Sequence, residues 1–175
     1  LNLIANNPEV KEKNQFKSFF QTDVVSWSND INIGLTSIML VCKHLVPLIN
    51  KNGGSIVNLS SDLSIISPDH RLYNKKKISG SKPISYSVVK HGLIGFTKYL
   101  ASYWGKVGIR VNSISPGGIQ NKQNKEFIKK YSSKTLLNRM AMPHEIYGIV
   151  KLLCTQDSSY ITGSNIVVDG GWTAI

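Results

Sequence analysis

The apolar positions of this chain recur with a helical period in some segments and with a strand period in others. Residues 27–48 show the helical period, with Ser28 or Asn29 as a candidate N-cap. Residues 85–104 form the clearest predicted helix, whereas residues 64–83 are polar, lack a period and are predicted to be a loop. The other predicted elements are strands at 53–61, 108–116 and 165–171, a helix at 143–154 and a polar helical or mobile segment at 121–133.

Strands that alternate with helices pair in parallel, because a helical crossover returns the chain to the same end of the sheet. The pattern therefore predicts an α/β fold with a layered parallel sheet, formed by one domain over residues 1–175. Ligands of such sheets bind at the carboxyl ends of the strands. This rule draws attention to "LSS" at 59–61, to "SPGG" at 115–118 and to the start of the helix at 85.

Composition narrows the function classes. The chain has 175 residues, of which 41% are apolar, as expected of one globular domain. Its net charge of +11 raises nucleic acid as a partner, but the basic residues are dispersed without aromatic interleaving, so we expect no specific nucleic-acid binding. Lys43, His44 and Pro47 interrupt the most apolar stretch, so we expect no membrane span. Cys42 and Cys154 are isolated and predict buried free thiols in a reducing, cytoplasmic compartment.

Tyrosine and lysine stand four positions apart at three places, Tyr73 with Lys77, Tyr86 with Lys90 and Tyr147 with Lys151. Chance alone predicts about 0.7 such pairs, so the motif decides nothing without its context. Tyr73 lies in the predicted loop and is expected to be solvated. Tyr147 and Lys151 are interpreted as a packing tyrosine with a surface lysine. Tyr86 alone follows a strand that ends in serines and begins a predicted helix.

Tyr86 and Lys90 are spaced to share one face of a helix, where the ammonium can act on the phenol. To act as an acid or base near neutrality, a tyrosine must lower its pKa from about 10 to about 7, which is about 4 kcal/mol. A lysine ammonium about 4 Å away supplies about that much at an effective dielectric constant near 20. Burial opposes the effect, and a second positive charge would help. An isolated pair would be better interpreted as a surface tyrosine against a lysine stem.

Several further segments give the pair a context. They are "DINIGL" at 30–35, "GSIVNLSS" at 54–61, "YSVVKHGLIGFTKYLA" at 86–101, "GIRVNSISPGGI" at 108–119 and "SSYITGSNIVVDGGW" at 158–172. In this order they resemble the short-chain dehydrogenase/reductase family over residues 32–172. The resemblance implies a Rossmann-like, doubly wound parallel sheet. It also implies an oxidoreductase that transfers a hydride between NAD or NADP and a small carbonyl or alcohol substrate.

The resemblance implies a role for each matching residue. Tyr86 would exchange a proton with the substrate oxygen, and Lys90 would lower the pKa of Tyr86 and hold the nicotinamide ribose hydroxyls. Ser61 would hydrogen-bond the reacting oxygen, with Ser60 as the alternative if the strand register differs. Asn32 would support a water relay to Lys90. The residues expected to line the nicotinamide are Pro116, Gly117, Gly118 and Ile119.

A second apolar stripe runs along the helix predicted at 85–104, on a different face from the one suited to the sheet. It consists of Val88, Gly92, Gly95, Tyr99 and Tyr103. This stripe would be exposed in a monomer, and its glycines would let another helix approach closely, so we expect it to be buried against a symmetric partner. The family resemblance likewise implies a homodimer or homotetramer.

The resemblance is incomplete on the amino-terminal side. Residues 1–7 resemble only the end of a later strand of the family, and the Gly-rich turn that binds the cofactor pyrophosphate has no counterpart. We therefore expect an amino-terminally truncated fold. It would be either part of a full oxidoreductase or a cofactor-deficient product that acts as a binding or assembly subunit.

Two smaller departures concern the cofactor amide and the substrate. Asn121 replaces the threonine that the family usually has after the nicotinamide loop. The segment between Ser61 and Tyr86 is longer than usual. It is interpreted either as a solvated loop or as a segment that recognises a polar or anionic substrate, such as a sugar, through His70 and Arg71.

Overall fold

The computed structural model of the chain describes residues 3–6, 19–49, 52–73 and 82–175. Its centre is a four-stranded sheet in which the strands are ordered along the chain and all neighbouring pairs are parallel. The strands are β1 (Leu3–Asn6), β2 (Gly54–Leu59), β3 (Ile109–Pro116) and β4 (Asn165–Val168). Their carboxyl ends therefore lie at one edge of the sheet.

One face of the sheet is covered by α2 (Ser37–Leu45) and α3 (Ile84–Trp104), and α1 (Val24–Ile31) packs against α3. Ile56 of β2 and Val111 of β3 are fully buried there with Ile38 of α2 and Leu93 of α3. Cys42 belongs to the same cluster, is buried as predicted and is not part of a disulfide. The apolar face of α3 that was assigned to the sheet is thus the one that packs on it.

The opposite face is covered by α5 (Tyr147–Cys154), whose Leu153 packs with Val57 and Ile114. Val57 follows Ile56 in β2, and consecutive strand residues point to opposite faces of a sheet. Helices on both faces confirm the predicted doubly wound α/β fold. Cys154 is also a free thiol, but it is only partly buried.

The first helical stretch begins earlier than predicted, because Asp23 caps it in place of Ser28 or Asn29. The Asp23 carboxylate accepts a hydrogen bond from the backbone N–H of Ser26 at 2.8 Å. Between α1 and α2 the residues Asn32–Thr36 form a π-helical turn. A short 3-10 turn, Val46–Leu48, ends the stretch.

The stretch Val24–Leu48 is long and apolar enough to cross a membrane by length and composition alone. This corrects the expectation that Lys43, His44 and Pro47 interrupt it, since the helical backbone continues through all three. Such a stretch is weak grounds for a membrane span, because helices in protein cores share these properties. Only 22% of the most apolar part of this stretch is buried within the single chain. Much of its apolar surface is therefore exposed in the monomer.

A third apolar cluster lies beside the carboxyl edge of the sheet. Its main element is α4 (Lys125–Ser132), whose N-cap Asn124 accepts a hydrogen bond from the N–H of Phe127 at 2.8 Å. Tyr131 of α4 is buried with Leu72 and Met140. The polar segment predicted as helical or mobile is therefore a short helix whose apolar side covers this edge.

Candidate active site

β2 ends in two serines with different partners. Ser60 is buried, and its hydroxyl donates to the backbone carbonyl of Lys90 at 2.8 Å. Ser61 caps a short 3-10 turn, and its hydroxyl donates to Asp62 at 2.8 Å. Ser61 also lies close enough to Tyr86 to lower the pKa of its phenol. Ser60 therefore holds the strand end against α3, whereas Ser61 lies next to the phenol.

Tyr86 and Lys90 lie one helical turn apart at the start of α3, as their spacing predicts. Lys90 is 4% exposed, and its Nζ donates to the backbone carbonyl of Leu59 at 2.8 Å. The Nζ of Lys90 is 5.7 Å from the centroid of the Tyr86 ring, and the Nζ of Lys82 is closer, at 3.9 Å. Two ammonium groups therefore flank this ring. Lys82 precedes the helix, so sequence periodicity gave no reason to select it.

Burial dominates the acidity of this pair. The pKa of Tyr86 is raised above its ordinary value, mainly because burial disfavours the phenolate, while the hydrogen bond to Ser61 acts in the opposite direction. Burial and the charge of Lys82 lower the pKa of Lys90 to about 8. Burial thus outweighs any effect of the Lys90 ammonium on the pKa of Tyr86 in the chain by itself, and the role predicted for Lys90 stays a prediction. The Lys90 ammonium is directed at Leu59, and the desolvation of the phenol prevails.

Asn32 does not reach the site. It is exposed, and its Oδ1 accepts a hydrogen bond from the Thr36 hydroxyl at 3.1 Å. The buried position of this π-helical turn is Gly34, where a Cβ would lie 2.4 Å from Cγ1 of Val89, the neighbour of Lys90. The predicted relay through Asn32 is corrected, because residues two apart on a helix face different sides. The residue of the turn that faces α3 is Gly34, which has no side chain.

The loop after β3 is fixed by pairing within the chain. Pro116 is the last residue of β3, and the N–H of Gly117 donates to the carbonyl of Val168 at 2.9 Å. Ile119 forms a parallel bridge with Ala141. The loop predicted to line the nicotinamide is therefore held rigidly at the carboxyl edge of the sheet, beside the end of β2.

The two glycines of this loop are needed for internal packing. A Cβ on Gly117 would lie 2.9 Å from Cα of Asp169, and a Cβ on Gly118 would lie 2.6 Å from the ring of Tyr131. The sequence interpretation assigned Gly117 to close approach of the cofactor and did not foresee these neighbours. Asn121 is exposed, and its backbone N–H donates to the side chain of Gln123.

Two buried residues at the site were missed by sequence reasoning. Asp62 is 4% exposed and directly follows Ser61, a position that could have drawn attention to it. Tyr131 is 5% exposed and lies in a segment whose polar composition concealed it. The Tyr131 hydroxyl donates to Oδ2 of Asp62 at 2.9 Å. These two side chains close the site on the side of α4.

The other tyrosine and lysine pairs differ from their interpretations. Tyr73, expected to be solvated, is partly buried against Phe127 in the cluster around α4, and Lys77 lies outside the described residues. Tyr147, expected to be packed, is 66% exposed. Of the two pairs that lie wholly within the described residues, Tyr86 has a buried partner in Lys90, whereas Lys151 beside Tyr147 is exposed.

Comparison with known proteins identifies the family. The family model described as enoyl-(acyl carrier protein) reductase matches residues 1–173. A short-chain dehydrogenase from Leptospira borgpetersenii, solved with bound NAD+, is 34% identical in sequence, with a TM-score of 0.83 over 98% of this chain and 63% of that one. The chain belongs to the short-chain dehydrogenase/reductase family. The resemblance drawn from the five sequence segments is thus confirmed.

Curated members of the short-chain dehydrogenase/reductase family are similar over almost the whole chain. A 3-oxoacyl-[acyl-carrier-protein] reductase from Aquifex aeolicus is 30% identical over 98% of this chain and 65% of its own length. A trans-4-hydroxycyclohexanecarboxylate dehydrogenase from Sinomonas cyclohexanicum is 31% identical over 99% of this chain and 61% of its own length. The chain therefore spans less than two thirds of these relatives. Both relatives are named as enzymes. They give no support to the alternative that this chain is a binding or assembly subunit.

Proposed function

We propose that this chain carries the catalytic site of a nicotinamide-dependent oxidoreductase that interconverts a carbonyl and an alcohol. The observation that supports the proposal most directly is the meeting of Ser61, Tyr86 and Lys90 at the carboxyl edge of the sheet. These are the side chains that the family motifs assigned to proton transfer. Their arrangement occurs in a chain that is at least 30% identical to a named reductase and a named dehydrogenase.

Tyr86 would transfer the proton. Its raised pKa keeps the phenol protonated near neutrality, as a proton donor to the oxygen of a carbonyl must be. The Ser61 hydroxyl, which lies beside Tyr86, would orient that oxygen. In the oxidation of an alcohol Tyr86 must first lose its proton, so oxidation is expected to accelerate as the pH rises above neutrality, and reduction to slow.

The cofactor would be NAD or NADP, bound with its nicotinamide end at this site. The donor set fits ribose hydroxyls: Lys90 is a buried ammonium beside the partly buried phenol of Tyr86, and Lys82 adds a second cation. When bound, the nicotinamide supplies the hydride in reduction and, in its oxidised form, a positive charge near Tyr86. Pro116 and the following loop residues would border it. The choice between NAD and NADP depends on residues other than those of the site described above.

The substrate we expect is a small carbonyl or alcohol compound, with a sugar or another polar metabolite as the leading class. Polar side chains border the site in Ser61, Asp62 and Tyr131. The exposed Arg71 is a poor candidate for substrate recognition, because it donates two hydrogen bonds of 2.8 Å to Asp69. We therefore assign substrate recognition to the buried polar groups and not to the cations of the loop.

The test is turnover with Tyr86→Phe. We would follow NADH and NADPH oxidation by the purified chain with a panel of polar ketones and aldehydes. Tyr86→Phe is expected to lower turnover by about 10²- to 10⁴-fold, because it removes the proton donor. Tyr147→Phe, a change in another tyrosine and lysine pair, serves as the matched control and should keep the rate. A Tyr86→Phe variant as fast as its parent would refute the assignment.

We also propose that the chain forms a homodimer or homotetramer through α2 and α3. Side chains of both helices are apolar and exposed within the single chain; on α3 they include Val88 at 40%, Tyr99 at 65% and Tyr103 at 67% exposure. A Cβ on Gly95 would meet nothing within 4 Å, so the helix surface is open there. On the preceding helical stretch they are Val24, Val25, Ile33, Met39, Leu40, Val41, Leu45 and Leu48. Contiguous apolar patches of this kind commonly mark protein interfaces.

Sedimentation velocity tests this interface. The chain should sediment as a dimer or tetramer, and Tyr103→Glu should shift it toward monomer, because a carboxylate would be buried at the contact. Tyr160→Glu is the matched control, since Tyr160 is fully exposed outside these helices. A monomeric parent, or equal sedimentation of parent and Tyr103→Glu, would contradict the interface.

A further inference from the structure

A chain of buried hydrogen bonds connects Ser61 to α4. The Ser61 hydroxyl donates to Oδ1 of Asp62 at 2.8 Å, and the Tyr131 hydroxyl donates to Oδ2 of Asp62 at 2.9 Å. The Tyr131 hydroxyl in turn accepts a hydrogen bond from the backbone N–H of Gly118. The three side chains are only 6%, 4% and 5% exposed. The network therefore links the end of β2, the loop after β3 and α4, which are far apart in sequence.

The hydrogen bonds of Ser61 show which group orients its hydroxyl. A hydroxyl has one proton to donate, and that of Ser61 is directed at Asp62. The Ser61 oxygen accepts a hydrogen bond from the N–H of Leu63 at 3.2 Å. Asp62 is held in turn by the N–H of Leu63 at 2.8 Å and by Tyr131. The direction of the Ser61 hydroxyl is thus set by the carboxylate.

Burying a carboxylate at this point is unfavourable unless donors compensate. Burial raises the pKa of Asp62, and the hydrogen bonds from Ser61, Tyr131 and Leu63 oppose the rise. The other titratable groups that face Asp62 are Tyr73, Tyr86 and Asp169. Buried charges with specific partners are enriched at functional sites, so the position of Asp62 directly after Ser61 makes it a candidate for a role in the reaction.

We propose that Asp62 and Tyr131 form a positioning pair, in which Tyr131 holds Asp62 and Asp62 fixes the hydroxyl of Ser61 beside Tyr86. The inference rests on the proposed function, since it assigns the pair to the same reaction. In this arrangement Asp62 acts through Ser61. The pair also fastens α4 and the loop at Gly118 to the serine, so a displacement of either element would disturb the orientation of the hydroxyl.

The first experiment tests the hydrogen-bond network around Asp62 without measuring turnover. The side-chain carboxyl of Asp62 would be titrated by carbon-13 NMR in the parent, Ser61→Ala, Tyr131→Phe and Tyr73→Phe. Ser61→Ala and Tyr131→Phe should each raise the pKa of Asp62 by about 1, because each removes a hydrogen bond to the charged form. Tyr73→Phe is the matched control in the same aromatic cluster and should leave that pKa unchanged. An Asp62 pKa that neither variant moves would overturn the network, whether or not turnover is detected.

The second experiment asks whether Asp62 acts through Ser61. Asp62→Asn should lower kcat by about tenfold with little change in KM, and by less than about twofold in a Ser61→Ala background. Tyr131→Phe should behave in the same way with a smaller loss, about threefold, and it guards against misfolding of Asp62→Asn because it keeps the ring. Equal losses in the two backgrounds would mean that Asp62 only supports the fold, which would refute the proposal.

The two proposals fail in different ways. If Tyr86→Phe retains its rate, the proposed function is wrong, and the carboxyl titration still decides whether Asp62 is held by Ser61 and Tyr131. If Tyr86→Phe is inactive while Asp62→Asn gives equal losses with and without Ser61, the oxidoreductase assignment stands and the positioning pair is rejected.

Discussion

Two segments meet near Lys90, the first turns of α3 and the π-helical turn between α1 and α2, and sequence reasoning assigned a site residue to each. In α3 the regular helical period turns Tyr86 toward Ser61 and buries Lys90 one turn later. In the π-helical turn Asn32 faces outward, and the inward position is Gly34. A motif on a regular helix therefore fixes side-chain direction well, whereas a motif on an irregular turn does not.

The two segments also differ in what holds them. Lys90 is held by hydrogen bonds at both ends, from its Nζ to Leu59 and from Ser60 to its backbone carbonyl. Gly34 has no side chain to form hydrogen bonds and packs closely against Val89. Substitutions in α3 should therefore change chemistry, and substitutions in the π-helical turn should change stability. The following predictions test this contrast, beginning with the largest effect.

Lys90→Met should lower turnover by about 100-fold, because it removes the buried ammonium beside Tyr86 while keeping the length of the side chain. The measurement is kcat/KM with NADH and the best carbonyl substrate. Lys98→Met, an exposed change on the same helix, is the matched control and should stay within about twofold of the parent. Equal activity of Lys90→Met and Lys98→Met would remove Lys90 from the mechanism.

Gly34→Ala should destabilise the chain by about 1–3 kcal/mol, because its Cβ would overlap Cγ1 of Val89. The free energy of unfolding would be measured by urea denaturation. Gly148→Ala in α5 provides the matched control: a Cβ there meets nothing within 4 Å, so alanine should be neutral or slightly stabilising. If both substitutions have the same effect, close packing is not what selects glycine at position 34.

The pH dependence of the free energy of unfolding should reveal the lowered pKa of Lys90. Its pKa is lowered to about 8 in the folded chain, against an ordinary value of 10.5. Between these values the unfolded chain binds the proton and the folded chain does not, so stability should rise with pH. Relative to Lys90→Met, the parent should gain about 2 kcal/mol between pH 8 and pH 10. A difference between the two proteins that is constant over this range would show that Lys90 is not desolvated.

Asn32→Ala should have the smallest effect, with kcat/KM within about twofold of the parent, because Asn32 is exposed and bonded to Thr36. The measurement is the same steady-state assay. A tenfold loss, with unfolding unchanged, would return Asn32 to the site and contradict the placement of the π-helical turn.

The parallel sheet, the main helices and the family could be predicted from the sequence because each rests on periodicity or on several motifs in a fixed order. The convergence of Ser61, Tyr86 and Lys90 after β2 could be predicted for the same reason, and their roles stay predictions. The inward glycine at position 34 could not be predicted, since a π-helical turn changes the relation between spacing and direction. Tyr131 also escaped, because it meets Asp62 across 69 positions of sequence and no local pattern encodes that contact. The rise in the pKa of Tyr86 depends on burial, which composition does not reveal.

The most direct test of the central claim is the fate of a labelled hydride. NADH carrying deuterium at the transferable position of its nicotinamide would be incubated with the chain and a carbonyl substrate, and the alcohol product analysed by mass spectrometry. The account predicts one deuterium on the carbinol carbon per NADH consumed, and no labelled product with Tyr86→Phe. Consumption of NADH without deuterium in the alcohol, or labelled alcohol formed equally well by Tyr86→Phe, would contradict it.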